Sequence, residues 1–301
     1  MSPAAKPESL ELIGRSLELS QIQACLKAKR NVLLEGPVGV GKTHLALAVT
    51  RDLGCPVFRV DGDSRYTEQK LSGWFDPVTV VKKGFSADAF IPGPLVEAMR
   101  AGGVLFINEL NRLPEGVQNV LLPAIDERVI IVPRFGEVRA HEGFLVIATQ
   151  NPKEFVATSH LSEAILDRFE LVVLGYQKED DEIAIVTAKL RSNGSKIENK
   201  LLPLAAVRVA RLTREHPRVR RGASVRAAIS IGEITAVMMK DGATFEVAFL
   251  AAVRMALPTR IEIEREADGD RDARSEVDAL VAEWAKEVLE GLTSGGVKKK
   301  T

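Results

Sequence analysis

Gly36, Gly41, Lys42 and Thr43 stand in the spacing G-x-x-x-x-G-K-[ST], a spacing that suits the binding of phosphate groups. Glycines let the backbone curl so that successive N–H groups face one concavity. Pro37, Val38, Gly39 and Val40 complete the loop, and His44 lies in the first turn of the helix that follows. The N-terminus of such a helix presents hydrogen-bond donors and partial positive charge to the same point. Lys42 has the reach for the β- and γ-phosphates of a nucleotide, and the Thr43 hydroxyl is a ligand for Mg²⁺. The apolar run Val32–Leu34 before the loop and Leu45–Val49 after it supply the strand–loop–helix setting the chemistry needs.

In a parallel α/β sheet such chemistry takes place at the C-terminal ends of the strands, so two further strand ends matter. Asn108 and Glu109 follow the apolar run Val104–Ile107, a pattern resembling a Walker B element, whose usual residues are Asp-Glu. The Asp of that pair supports Mg²⁺ and the Glu activates the attacking water. Glu109 keeps the base. Asn108 offers an oxygen without the negative charge, which predicts a weaker, water-mediated Mg²⁺ site or slower hydrolysis. Asn151, just past the apolar run Phe144–Ala148, stands where an amide can orient the water or contact the γ-phosphate.

The elements that must position these groups are legible in outline. A helix is expected over Ser16–Ala28, a strand over Pro56–Val60, a helix over Lys70–Trp74, a hairpin around Thr79–Ser86 and a short helix over Leu95–Ala101. One amphipathic helix follows over Glu115–Glu127, then a second hairpin around Arg134–Gly136, a short helix over Leu161–Arg168 and a last strand over Leu171–Leu174. Beyond Gly175 the pattern changes: helices at about 179–191, 199–215, 223–240, 243–257 and 274–290, with no strands. Strands alternating with helices and then helices alone imply a three-layer parallel α/β domain over 11–175 and a helical domain over 176–291. Loose tails are expected over 1–10 and 292–301, and the charge run Glu264–Arg274 reads as a solvated loop.

Of the 301 residues, 46% are hydrophobic, enough to fill a substantial core. Basic and acidic residues number 41 each, so no global field favours a nucleic acid or a membrane surface. The local basic stretch His216–Arg221 is a candidate for nucleic acid on charge alone. Cys25 and Cys55 are the two cysteines; without a C-x-x-C pair they read as reduced thiols of a cytoplasmic protein. The run Met1–Pro7 lacks the apolar centre of a secretory leader, and no uncharged apolar run reaches membrane-spanning length.

Six stretches together resemble the MoxR group of AAA+ ATPases: Leu33–Thr43, Pro92–Leu95, Asn108–Arg112, Phe144–Pro152, Leu166–Phe169 and Gly222–Ala227. The likeness runs from about Leu12 to about Ala243 and weakens beyond it. It implies a P-loop AAA+ core with a helical lid, ATP with Mg²⁺ as ligand, and a homo-oligomeric ring, commonly a hexamer. It matches Asn151 to the sensor 1 position, Arg168 to the arginine that reaches a neighbouring subunit's γ-phosphate, and Arg226 to the sensor 2 arginine of the lid. Residues 76–92 match an insert within the second helix that resembles a remodelling hairpin. The likeness of His216–Arg221 to a stretch of the family implies a place beside the nucleotide or a subunit interface instead of on nucleic acid. Relatives of that group often work with von Willebrand factor A domain proteins and assist maturation or cofactor insertion in a protein client.

Three alternatives stay open on the residues. Asn108 can make ATP a signal for assembly rather than a fuel. A chelatase-type subunit shares the insert. A motor on nucleic acid is the least favoured, given the neutral charge and the lack of aromatic residues among basic ones.

Overall fold

The computed structural model describes residues 12–151, 161–193, 199–264 and 273–295. Two compact units divide the chain, Met1–Gly175 and Tyr176–Thr301.

The first unit is built on five parallel strands: β1 (Asn31–Glu35), β2 (Val57–Asp61), β3 (Val104–Asn108), β4 (Leu145–Gln150) and β5 (Phe169–Val173), in the spatial order β2-β3-β4-β1-β5. The three central strands, β3, β4 and β1, are buried on both faces because helices cover both, while the edge strands β2 and β5 carry exposed residues such as Arg59 and Glu170. Val32, Leu34, Phe106 and Ile147 pack with Ile22 and Leu26 of the Ser16–Lys27 helix and with Leu45 and Val49 of the Lys42–Asp52 helix. Leu33, Leu105, Ile107 and Val146 face the other way, against Leu95 and Met99 of the Pro94–Ala101 helix and against Val117 and Leu121. The alternation of side chains along each strand thus fills two cores at once.

Four expectations are corrected. Residues around Thr79–Ser86 form no hairpin: Pro77–Lys83 is a helix. The Asp76 carboxylate accepts from the Thr79 amide at 2.8 Å, Pro77 takes the first helical position and Gly84 ends the turn with φ +70°. This is helix punctuation, and it overrides the β-branched residues inside. Antiparallel strands Gly73–Phe75 and Phe90–Pro92 flank this helix, and the helices Glu68–Ser72 and Pro94–Ala101 lie on either side of the ribbon.

Glu115–Glu127 is likewise not one helix but two, Glu115–Asn119 and Leu121–Asp126. Pro123 has no amide proton for the Asn119 carbonyl, and its ring crowds that carbonyl. The second hairpin pairs Val129–Val132 with Gly136–Arg139. Phe135 at its turn stacks on Phe90, with ring centroids 4.1 Å apart, and Arg134 lies over the Phe85 ring at 4.2 Å.

The second unit contains the helices Glu179–Ser192, Leu202–Glu215, Val225–Lys240, Phe245–Ala256 and Ala273–Gly295. They bury Leu190, Val209, Ile231, Phe249 and Trp284 among their neighbours. It does hold strand, contrary to the all-helical expectation: Val219–Arg221 pairs antiparallel with Glu262–Ile263. Segments this short and this charged show no alternation. The last helix reaches Gly295, past the expected end of ordered structure at 291. The tail over 1–10, most of the charge run Glu264–Arg274 and the terminal lysines Lys298–Lys300 lie outside the described residues.

Candidate functional site

The loop runs from β1 into the Lys42–Asp52 helix. Gly41 caps that helix with φ +93°, a conformation costly for any residue with a Cβ. Lys42 Nζ donates to the Gly36 carbonyl at 2.6 Å and to the Pro37 carbonyl at 2.8 Å. Val38 and His44 are exposed, while Gly36 and Val40 are buried.

Facing the loop, the ends of β2, β3 and β4 converge through hydrogen bonds. The Thr43 hydroxyl donates to Asn108 Oδ1 at 2.9 Å. The Thr149 hydroxyl donates to the same oxygen at 3.2 Å and accepts from the Glu109 amide at 2.9 Å. Asn108 Nδ2 donates to Asp61 Oδ1 at 3.1 Å. Arg59 grips the Asp61 carboxylate, with its terminal nitrogen 2.7 Å from Oδ1, and this contact before any other holds the carboxyl below its usual range. Register explains the meeting: β2 and β3 pair Asp61 with Asn108. Gly62 makes it sterically feasible, since a Cβ there would lie 2.1 Å from the Glu109 carbonyl oxygen.

Glu109 stands in the left-handed region, φ +61°, an unusual conformation for a residue with a side chain. Its carboxylate accepts from Arg112 at 2.7 Å. Asn151 is buried just past the end of β4, and its carbonyl accepts from Asn111 Nδ2 at 3.4 Å.

Of the residues singled out from sequence, Thr43, Asn108 and Glu109 therefore form one bonded group, with Asn151 at the adjacent strand end. Arg168 points elsewhere within its own chain: its guanidinium bonds the Asp126 carboxylate and the Ala164 carbonyl. Arg226 is exposed at the start of the Val225–Lys240 helix of the second unit. The basic stretch is engaged inside that unit, Arg218 with Glu276 and both Arg220 and Arg221 with Glu262, while His216 meets the Trp284 ring edge-on at 5.4 Å.

Four residues escaped sequence reasoning. Asp61 and Thr149 sit on strand ends, where the rule that located Asn108 also applies. Arg112 follows Glu109 at i+3, a helical-turn spacing. Arg15 had no signal: its buried guanidinium bonds the Val40 carbonyl at 3.0 Å, the Gly175 carbonyl at 2.7 Å and Glu18 at 2.5 Å, tying the loop to the end of the first unit.

Among the described residues no cluster of three or more His, Cys, Asp or Glu side chains could hold a metal. The donors that face one another across the loop and the strand ends are nonetheless hard oxygen: the Thr43 hydroxyl of the helix, and the Asn108 amide and Asp61 carboxylate of the strands. They fit Mg²⁺, which binds few protein ligands, keeps several waters and takes its remaining ligands from phosphate. No helix among the described residues is long and apolar enough to cross a membrane.

Residues 31–169 match the AAA domain family of the dynein-related subfamily. Over 242 residues the chain is 31% identical to the gas vesicle ATPase GvpN1 of Halobacterium salinarum, covering 75% of this chain and 65% of that protein. An uncharacterized protein of Staphylococcus epidermidis is 27% identical over 250 residues, covering 81% and 89% respectively. Among solved structures, NtrX from Brucella abortus in complex with ADP superposes with a TM-score of 0.59 at 18% identity, over 94% of this chain and 67% of that one. A variant of RuvB from Thermotoga maritima gives 0.58 at 20% identity, over 83% and 73%. The strand order, the loop and these matches define a P-loop AAA+ fold. The particular chain carries this fold with Asn, not Asp, at the end of β3.

Proposed function

We propose that the chain is an ATP-hydrolysing AAA+ protein of MoxR type that assembles into a ring, a hexamer by family likeness, and remodels a protein client during its maturation or cofactor insertion. The observation that carries the reading is the hydrogen bond from the Thr43 hydroxyl to Asn108 Oδ1 at 2.9 Å. It joins the phosphate loop to the strand end that Glu109, the proposed base for phosphoryl transfer to water, directly follows.

In this reading residues 36–44 hold the phosphates through loop amides and the Lys42 ammonium, and Thr43 with Asn108 supports Mg²⁺. Bound there, Mg²⁺ neutralises charge on the β- and γ-phosphates. Glu109 takes the proton of the attacking water, Asn151 orients that water, Arg226 serves as the sensor 2 arginine of the helical unit and Arg168 acts from the neighbouring subunit. The insert at 76–92 meets the client, and a von Willebrand factor A domain protein is the expected partner. The setting is the cytoplasm.

ATP turnover by wild type, Glu109→Gln and Lys42→Ala tests the reading. Wild-type hydrolysis lost in Glu109→Gln, with nucleotide binding lost in Lys42→Ala, is the expected result. Undiminished turnover in Glu109→Gln would remove the proposed base.

A second reading has its own observations: Asn108 is uncharged, and Arg112 holds Glu109. Here ATP chiefly assembles the ring and turnover is negligible until Asn108→Asp restores it. A chelatase-type subunit would use the same site.

A further inference from the structure

We infer that Asp61, at the end of the neighbouring strand, supplies the negative charge that Asn108 lacks, so that Asp61 and Asn108 together form the Mg²⁺-supporting pair opposite Thr43. The inference rests on the reading of the loop as a Mg²⁺-nucleotide site and adds to it a residue outside the usual Walker B pair.

The orientation of the Asn108 amide is dictated by its neighbours. Its oxygen receives the Thr43 and Thr149 hydroxyls at 2.9 and 3.2 Å, and its nitrogen donates to Asp61 at 3.1 Å. The flipped amide would set its oxygen against the Asp61 carboxylate, so only one orientation satisfies all three partners. A carboxylate at the amide nitrogen draws positive charge towards itself and leaves the amide oxygen more negative, as charge-assisted hydrogen bonds do. The loop side of Asn108 thereby gains part of the charge that an aspartate would have carried there.

Asp61 also remains accessible, its side chain 58% exposed, so a Mg²⁺-bound water has room to reach it, and Mg²⁺ retains such waters. Its backbone position is set by the sheet. The register pairs it with Asn108, the Gly62 amide donates to the Asn108 carbonyl at 2.7 Å, and Gly62 itself lies against Glu109.

Arg59 opposes this effect. Its guanidinium bonds both Asp61 oxygens, at 2.7–3.1 Å. Both partners are about half exposed, so water and salt screen the pair and it only partly offsets the carboxylate. Removing Arg59 and removing the Asp61 charge must therefore act in opposite directions on the same cation.

The test is calorimetric titration of ATP into the full chain, with Mg²⁺ and with EDTA, the ratio of the two affinities being the Mg²⁺ linkage. Asp61→Asn, which keeps shape and removes charge, is expected to lower that ratio about tenfold while leaving the EDTA affinity as in wild type. Arg59→Gln is expected to raise it. Combining Asp61→Asn with Asn108→Asp moves the charge across the strand pair and is expected to restore the ratio. An unchanged ratio in Asp61→Asn overturns the inference. So does a parallel loss with Mg²⁺ and with EDTA, which marks a structural role. Should Asp61→Asn fail to fold, the sign of the Arg59→Gln effect decides. Failure of the underlying reading shows elsewhere: wild type without ATP affinity in either condition, or Lys42→Ala binding as well as wild type.

Discussion

The Glu109 carboxylate and the Arg112 guanidinium lie 2.7 Å apart at i+3, so the group proposed as base is engaged by a cation of its own motif. Both are partly exposed, 31% and 45%, and such a pair is worth at most about 1 kcal/mol. Arg112→Met is expected to raise basal ATP turnover by about two- to fivefold, measured as phosphate release at saturating ATP. A fall in kcat instead would give Arg112 a direct part in turnover.

In the role proposed for it at a neighbouring subunit, Arg168 must first leave Asp126. Their contact at 2.6 Å is also partly exposed, and releasing it costs about 1 kcal/mol. Asp126→Asn is expected to lower the protein concentration at which turnover becomes assembly-dependent, by about fivefold. Arg168→Ala is expected to keep ATP binding and lose that stimulation. Mixing it with Glu109→Gln subunits should recover some turnover, since each variant lacks what the other supplies.

Arg15 gives the loop a fixed anchor. Arg15→Met removes a charged donor from the carbonyls of Val40 and Gly175 while keeping most of the apolar stem. A loss of about 2–3 kcal/mol in urea denaturation is expected, with weaker ATP binding. Loss of stability at unchanged affinity would confine Arg15 to a structural part.

Much of the fold was legible because its signals are local. The glycine spacing of the loop, the doubly buried strands and the helical periods after Gly175 need no knowledge of partners. The Pro77–Lys83 helix had its punctuation in Asp76, Pro77 and Gly84, but the β-branched residues between them suggested extended chain. The two-helix break at Val120 was signalled by Pro123 inside an otherwise periodic run. What escaped at the site depended on register or on distant chain. Asp61 becomes Asn108's neighbour only when β2 and β3 are aligned, and Arg15 meets Gly175 across 160 positions of sequence.

In the second unit Glu182 is 2% exposed and lies between Arg211 and Arg214, at 3.1 and 2.8 Å. The Arg214 side chain is 9% exposed, so Glu182→Ala leaves a cation stranded in low dielectric. A destabilisation of about 3–5 kcal/mol is expected, read as a lower unfolding midpoint for this unit. Glu182→Gln should lose less, because its amide oxygen still accepts from one arginine.

The in-register meeting of Asp61 and Asn108 also has an evolutionary side. Aspartate and asparagine differ by one substituent, and single-base codon changes interconvert them. At two facing positions of one sheet, a carboxylate can be lost from one strand and kept on the other with no change of backbone. A lineage can cross from one arrangement to the other in single steps, so a motif read along one strand alone undercounts the charge that the site carries.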